Sequence, residues 1–99
     1  KPDWQPQKIN VQGDLVATEH VHVRFSDLDL YHHVNNTSYI RWVENFAADR
    51  GVFPSNLSIN YLSECVAGEV VGLQFFQSGS GNWISGQVNG KKVFLAHFF

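Results

Sequence analysis

The sequence predicts an α+β domain in which one long helix packs on one face of an antiparallel sheet. Apolar residues recur with the period of a helix between residues 39 and 47, and with the period of a strand on either side of that segment. The predicted strands after the helix are joined by short turns, which favour antiparallel pairing. A helix with a single apolar face must bury that face against another layer. These three observations give the fold class.

The first part of the chain has little periodicity. Residues 1–19 contain scattered prolines, glutamines and asparagines and are predicted to be a lead-in or linker, with a short strand around residues 9–11 as one interpretation. The domain itself is predicted to occupy residues 20–99. Its first strand is predicted at residues 21–25, where apolar and polar residues alternate. The apolar positions of that strand are Val21, Val23 and Phe25.

The predicted helix carries one apolar stripe. The stripe consists of Tyr39, Trp42, Val43, Phe46 and Ala47. Their spacing places them on a single helical face, so we expect the helix to belong to the core. Asn36 or Thr37 is predicted to cap its start, and Gly51 followed by Pro54 to end it.

Four strands are predicted after the helix. They lie at residues 57–61, 69–77, 83–88 and 92–99. Asn89-Gly90 is a strong signal for a two-residue hairpin turn between the last two.

Composition excludes several classes of function. The chain has 99 residues, enough for one domain, and a net charge of -2 without a basic stripe, so we expect no nucleic-acid partner. No apolar run is long enough to span a bilayer, and we expect no membrane association. The single cysteine, Cys65, excludes an internal disulfide and fits a reducing compartment such as the cytoplasm.

Metal binding is also not expected. Four histidines are possible metal ligands, namely His20, His22, His32 and His33. No cysteine or carboxylate completes a set with them at ligand spacing, and adjacent histidines are poorly placed to bind one ion together. We therefore predict no metal and no cofactor.

The candidate site lies between the first strand and the helix. In an extended backbone Asp29, Tyr31 and His33 would project on the same side. A carboxylate or imidazole there can activate water, while the free N–H groups at the helix N-terminus can stabilise an oxyanion. The candidate oxyanion donors are Val34, Asn35 and Asn36. The alternative is that these residues only cap the helix and form turns.

A longer pattern in this segment resembles a known family. The stretches Ser26-Asp27-Leu28-Asp29, His33-Val34-Asn35-Asn36 and Tyr39-Ile40 with Trp42 are similar to the signature of acyl-ACP thioesterases of fatty-acid biosynthesis. A looser form of the pattern occurs in hotdog thioesterases that act on acyl-CoA.

The resemblance implies a hotdog fold, in which a curved antiparallel sheet wraps one long central helix. The family is a double hotdog and the pattern belongs to its second half, so we expect a longer parent protein. The partner would be an N-terminal hotdog domain in a pseudo-dimer, or a second copy in a homodimer. The implied substrate is an acyl carrier protein bearing an acyl-phosphopantetheine group. The implied compartment is the cytoplasm, or the plastid stroma in a plant.

The resemblance also implies roles for individual residues. Asp29 corresponds to the catalytic aspartate and His33 to the family's histidine. Tyr61-Leu62-Ser63-Glu64-Cys65 is similar to the family's Glu-Cys strand, in which the glutamate is implicated in activating water and the cysteine is a candidate nucleophile. On a regular strand Glu64 and Cys65 would point to opposite faces, and a lone cysteine is more often a core residue. We therefore favour Glu64.

Tyr31 departs from the family pattern, because plant members usually carry asparagine at this position. Either the phenol of Tyr31 or the neighbouring His32 replaces the amide, or the site is weakened. Three functions follow: an acyl-ACP thioesterase, an acyl-CoA thioesterase, or a non-catalytic hotdog half that binds acyl groups or stabilises a partner domain. A hotdog dehydratase is disfavoured, since no glycine- and proline-bearing histidine loop leads into the helix.

Overall fold

The computed structural model describes residues 8–99. Within this range the chain forms five strands and one α-helix. They are β1 (Asp14–His22), α1 (Asn36–Asp49), β2 (Leu57–Tyr61), β3 (Val70–Ser78), β4 (Gly81–Val88) and β5 (Lys91–Phe98). A single 3-10 turn, Phe25–Asp27, lies between β1 and α1.

The five strands form one antiparallel sheet with the order β1-β3-β4-β5-β2. The strand that follows the helix, β2, therefore lies at the far edge of the sheet beside β5, while β1 forms the opposite edge. The helix packs on one face and buries its apolar stripe there. This arrangement confirms the predicted α+β class and the hotdog fold.

The helix itself follows its sequence pattern. All five stripe residues are buried, and Phe46 contacts Phe75 of β3 with ring centroids 5.7 Å apart. The cap, however, is Asn35 and not Asn36 or Thr37, because the Asn35 side chain accepts a hydrogen bond from the Thr37 backbone N–H at 2.9 Å. The helix ends as predicted, with Gly51 in a left-handed conformation that L-residues avoid.

The first strand differs from its prediction. It begins at Asp14, so the predicted boundary at residue 20 falls inside β1, and residues 9–11 form no strand. The reason is that β1 is an edge strand with mostly exposed side chains, and only Ala17 in it is fully buried. Such a strand has no apolar alternation to detect. Residues 1–7 of the predicted lead-in lie outside the described part of the chain.

The predicted burial of Phe25 is wrong. The strand ends at His22 and the alternation of burial ends at Val23, which is buried. Phe25 opens the 3-10 turn with 82% of its surface exposed. Asp27, two residues later, is buried instead. The carboxylate of Asp27 therefore occupies a position at which a longer strand would have buried an apolar side chain.

The β4–β5 hairpin has the predicted turn, with Asn89 and Gly90 both at positive φ. Near its middle, Gly86 leaves space for the ring of Phe94, with which any Cβ at position 86 would clash. The ring of Phe94 packs edge-on against Tyr39 in the first turns of α1, at 5.5 Å. This contact sets how closely the start of the helix approaches the sheet.

None of the helices in residues 8–99 has the length and apolar character needed to cross a membrane.

Candidate active site

The loop before the helix is anchored by a buried carboxylate. Asp27 has 3% of its surface exposed, and its Oδ2 accepts a hydrogen bond from the Arg24 backbone N–H at 2.8 Å. Its Oδ1 forms an ion pair with the guanidinium of Arg41, on the second turn of α1. The backbone oxygen of Asp27 accepts hydrogen bonds from the Asn35 N–H at 2.8 Å and from the Ser38 hydroxyl at 3.4 Å. Asp27 thus joins both ends of the loop to the helix.

Between these ends the chain makes a tight turn and is not extended as predicted. Asp29 Oδ1 accepts hydrogen bonds from the backbone N–H groups of Tyr31 at 2.8 Å and His33 at 3.1 Å. The Asp29 N–H donates to the His33 carbonyl oxygen at 2.8 Å, which closes the turn. His32 has a φ of 64°, a left-handed conformation that such turns require.

The turn separates the three residues that were expected to share one side. Asp29 and His33 line a cleft, whereas Tyr31 lies at the tip of the turn, 79% exposed and outside the cleft. The Asp29 turn is the physical reason for this placement, and a contribution of the Tyr31 hydroxyl to the site stays a prediction. His32 does not line the cleft either.

The cleft has a volume of about 380 Å³ and lies between the loop, the helix N-terminus and the segment that follows β2. Its lining residues are Asp29, His33, Val34, Asn36, Tyr39, Tyr61, Leu62, Ser63 and Glu64. It brings together three residues predicted to be catalytic, Asp29, His33 and Glu64, from two separate segments of the chain. Two of the predicted oxyanion donors, Val34 and Asn36, line it as well.

One backbone hydrogen bond ties the two segments together, and another ties the segment after β2 to β5. The Val34 N–H donates to the Cys65 carbonyl oxygen at 3.2 Å, and the Leu62 N–H donates to the Val93 carbonyl oxygen at 2.8 Å. As a result His33 Nδ1 lies 3.3 Å from Glu64 Oε1. Both side chains are accessible, with 46% and 71% of their surface exposed, so substrate can reach them.

The electrostatics of Asp29 favour the ionised form. The backbone N–H of His33, and next that of Tyr31, lower the pKa of Asp29 below its ordinary value, and slight burial opposes them. Both of these N–H groups donate to Oδ1, and within residues 8–99 no group donates to Oδ2, which leaves that oxygen accessible to water or substrate.

The helix N-terminus offers fewer free N–H groups than predicted. The Val34 N–H is bonded to the Cys65 carbonyl oxygen and the Asn35 N–H to the Asp27 carbonyl oxygen, so neither is available to an oxyanion. The Asn36 N–H has no partner within the described residues. Asn36 alone of the three predicted donors keeps its backbone group free.

Cys65 is a core residue in this structure. It is fully buried and does not line the cleft, although Glu64 beside it does. Burial raises the pKa of the Cys65 thiol, and its sulfur shares a hydrogen bond with the hydroxyl of Tyr39, whose own pKa is raised mainly by burial. A neutral, enclosed thiol is a poor nucleophile.

Four lining residues were not predicted as site residues, namely Tyr39, Tyr61, Leu62 and Ser63. The two tyrosines were assigned to the apolar faces of a helix and a strand. The signal that could have identified them is the hydroxyl, since a tyrosine at the end of an apolar face usually places its polar tip near solvent. Among the described residues no group of three or more His, Cys, Asp or Glu side chains converges in a way that could hold a metal ion.

Comparisons with known proteins agree with this geometry. Residues 12–89 match the family of acyl-ACP thioesterase C-terminal domains. Comparison with curated protein sequences found no match. Among solved structures, the 12:0-ACP thioesterase from Umbellularia californica is 26% identical with a TM-score of 0.74, and the match covers 99% of this chain and 40% of that one.

Two further structures extend the comparison. An acyl-ACP thioesterase from Bacteroides thetaiotaomicron VPI-5482 is 24% identical with a TM-score of 0.70, covering 99% of this chain and 42% of that one. The smu.793 protein from Streptococcus mutans UA159, bound to acetyl CoA, is 13% identical with a TM-score of 0.73, covering 97% of this chain and 92% of that one. The chain thus spans about two fifths of the acyl-ACP thioesterases it resembles. Because the family match includes most of its residues, the chain belongs to the acyl-ACP thioesterase C-terminal domain family.

Proposed function

We propose that this domain carries the catalytic groups of an acyl-ACP thioesterase, which hydrolyses an acyl thioester to a free fatty acid and the thiol of the carrier. The observation that supports it is the cleft in which Asp29, His33 and Glu64 meet beside the helix N-terminus. The carboxylates can activate water, His33 can move a proton, and the N–H groups of the helix N-terminus can stabilise a developing oxyanion, which are the three requirements of thioester hydrolysis.

Asp29 activates the water. One of its oxygens is occupied by the turn and the other accepts a hydrogen bond from water. A carboxylate with a lowered pKa is a weak base, so it takes the proton only as the water oxygen attacks the carbonyl carbon. The carbonyl π electrons move to oxygen in the same step, which gives a tetrahedral intermediate.

His33 assists the departure of the thiol. When the intermediate collapses, the C–S bond breaks and the sulfur leaves with the bonding pair. His33 donates a proton to that sulfur and is reprotonated by the proton that Asp29 received, so the products are a carboxylic acid and a thiol. Glu64 contacts His33 Nδ1 and orients the ring for this transfer.

The acyl tail requires space outside this domain. The interface between α1 and the sheet is filled by aromatic rings, with Phe75 lying 5.7 Å from Phe46 and 5.8 Å from Phe98. The cleft opens instead at the edge of the sheet, beside β2. We therefore place the tail in a second hotdog unit, either an N-terminal domain of the same protein or a second copy. A single free cysteine suits the reducing conditions of the cytoplasm or the plastid stroma.

An acyl-CoA thioesterase is the second candidate. One observation favours it: the protein bound to acetyl CoA matches this chain over 92% of its own length, so a chain of this size is enough for one unit of that kind. The chemistry in the cleft would be unchanged, and the two candidates differ only in the carrier of the thiol.

The test is thiol release by the whole protein from a panel of acyl-ACP and acyl-CoA substrates. Asp29→Asn keeps the size of the side chain and removes its basicity, and we expect kcat to fall by at least about 10²-fold. Asp49→Asn is the matched control, because this exposed carboxylate ends α1 away from the cleft. It should leave turnover unchanged.

The substrate panel separates the candidates. Turnover on acyl-ACP that exceeds turnover on acyl-CoA supports the proposal, and the reverse order supports the second candidate. If the folded wild-type protein releases no thiol from any substrate, the domain is a non-catalytic hotdog half. Equal losses in Asp29→Asn and Asp49→Asn would show that the wrong carboxylate has been assigned.

A further inference from the structure

The substrate of the proposed reaction carries negative charge that the cleft is not suited to hold. The thioester sulfur belongs to a phosphopantetheine arm, and the phosphate of that arm is anionic at neutral pH. Asp29 and Glu64 line the cleft with carboxylates, and like charges at short range repel each other. The phosphate must therefore be held outside the cleft, where cationic side chains can reach it.

Most cationic side chains of residues 8–99 are poorly placed for this role. Arg41 is held in its ion pair at the second turn of α1. Arg50 follows the last residue of the helix, which puts it about 20 Å from the helix start that borders the cleft. Lys8 lines a separate pocket. Arg24 follows β1, at the edge of the sheet opposite β2.

Lys91 and Lys92 differ from these four residues. They begin β5, both are exposed, and no carboxylate within the described part of the chain forms an ion pair with them. The carbonyl oxygen of the next residue, Val93, accepts hydrogen bonds from the backbone N–H groups of Leu62 at 2.8 Å and Ser63 at 3.2 Å. Leu62 and Ser63 line the cleft. The two lysines therefore begin the strand to which this wall of the cleft is bonded.

The β4–β5 turn fixes the backbone of both lysines. Asn89 and Gly90 have φ angles of 51° and 82°, the left-handed conformation of a two-residue hairpin turn. Lys91 and Lys92 pair with β4 directly after this turn. Their flexible side chains can extend past the end of the sheet, and each ammonium group is a compact cation with three N–H donors, which suits a phosphate.

We propose that Lys91 and Lys92 form an anion site that binds the phosphate of the phosphopantetheine arm while the thioester lies in the cleft. This inference rests on the proposed thioester hydrolysis and deepens it. The same phosphate is present in acyl-ACP and in acyl-CoA, so the site serves either carrier. It attracts and holds the substrate and takes no part in the bond changes at the thioester.

Two small substrates that differ only in the phosphate test this site. Lys91→Gln/Lys92→Gln removes both charges, and thiol release by the whole protein is measured on acyl-phosphopantetheine, acyl-pantetheine, acyl-ACP and acyl-CoA. We expect kcat/KM to fall about 3–10-fold on the three substrates that carry the phosphate, as is usual for exposed ion pairs. It should stay unchanged on acyl-pantetheine. The fall should lie in KM and not in kcat, because the lysines do not touch the reacting atoms.

Two control variants separate the effect of charge from that of structure. Lys91→Arg/Lys92→Arg keeps both charges and should retain the wild-type kcat/KM. Lys8→Gln/Arg50→Gln removes the same net charge at exposed positions that do not line the cleft, and it should leave all four substrates unaffected. Salt gives a second measurement, because the screening length falls from about 10 Å at 0.1 M to about 3 Å at 1 M. The difference between wild type and the glutamine variant should shrink over that range.

The outcomes are distinct. A loss on the three phosphate-bearing substrates alone, absent from the arginine variant and with an unchanged melting temperature, supports the proposal. A loss on acyl-ACP alone overturns it in favour of a contact with the surface of the carrier protein, and a loss on acyl-CoA alone overturns it in favour of a contact with the nucleotide. An equal loss on acyl-pantetheine, or no loss on any substrate, also overturns it and leaves the proposed function intact. If the wild type releases no thiol from any of the four, the proposed function fails and this inference fails with it.

Discussion

The ion pair between Asp27 and Arg41 should hold the loop between β1 and α1 against the helix, and its removal should affect both stability and turnover. Arg41→Gln deletes the guanidinium and leaves the Asp27 carboxylate buried, with the Arg24 backbone N–H as its remaining hydrogen-bond donor. A carboxylate that has lost its charged partner in a dry environment is strongly destabilising.

The magnitude follows from the exposure of the two side chains. Breaking a fully buried pair costs about 3–5 kcal/mol, whereas an exposed pair contributes about 0–1 kcal/mol. The side chain of Asp27 is 4% exposed and that of Arg41 is 50% exposed, so solvent screens one partner only. We therefore expect Arg41→Gln to lower the free energy of unfolding by about 2 kcal/mol, midway between these limits.

A double-mutant cycle measured by urea unfolding isolates this pair. Asp27→Asn, Arg41→Gln and the double variant should show a coupling energy of about 1–2 kcal/mol, within the range seen for residues in contact. Turnover should fall in the single variants as well, because the Asp27 carbonyl oxygen holds the Asn35 cap through its N–H. Arg50→Gln is a control for the loss of a charge, since Arg50 is exposed at the end of the helix. If the losses of unfolding free energy in the two single variants sum to the loss in the double variant within about 0.5 kcal/mol, the idea that this pair anchors the loop is refuted.

Four further predictions concern single features. Tyr31→Phe should leave thiol release unchanged, because the hydroxyl lies outside the cleft; a loss of kcat would contradict the position of the turn. Gly86→Ala should destabilise the protein by about 1–3 kcal/mol in urea unfolding, because the methyl group displaces the ring of Phe94. Cys65→Ala should retain kcat while losing about 0.5–3 kcal/mol of stability, and a loss of kcat comparable with that of Asp29→Asn would restore the thiol as nucleophile. The pKa of Asp29 in the folded protein is lowered, so the ionised carboxylate should stabilise the protein at pH values above 3.8, its ordinary pKa. This stabilisation should be lost as the pH falls through the lower pKa of the folded state, and acid unfolding of Asp29→Asn beside the wild type measures it.

The helix and β3 could be predicted because their buried apolar residues lie on one face. The stripe from Tyr39 to Ala47 has the period of a helix and not that of a strand. Asn89-Gly90 predicts the turn of the last hairpin. The start of the edge strand β1 could not be placed, because the exposed residues before Val21 leave no apolar alternation. Its pairing with β3 is a tertiary feature that local sequence does not encode.

In the candidate site, the residue types could be predicted from the sequence, but the orientation of their side chains could not. Asp29, His33 and Glu64 do meet in the cleft, but the sequence gives no way to know that the Asp29 carboxylate closes a turn and turns Tyr31 outward. The same limit applies to Asp27, which reads as a turn residue in the sequence. Its burial depends on Arg41, fourteen positions later, and such a pairing becomes visible only when the loop has folded onto the helix.

The hydrogen bond from Val34 to Cys65 has a consequence for substrate binding. Val34 and Cys65 are both buried, so this bond is shielded from water although it joins two segments without regular structure. The approach of His33 to Glu64 is therefore set when the domain folds, before any substrate arrives. A substrate that enters the cleft then meets a backbone whose conformational entropy has already been lost, and little of its binding free energy is used to order that backbone. On this view the amide of Val34 should exchange its hydrogen as slowly as the amides of the central strands, which would identify the loop before α1 as part of the rigid core.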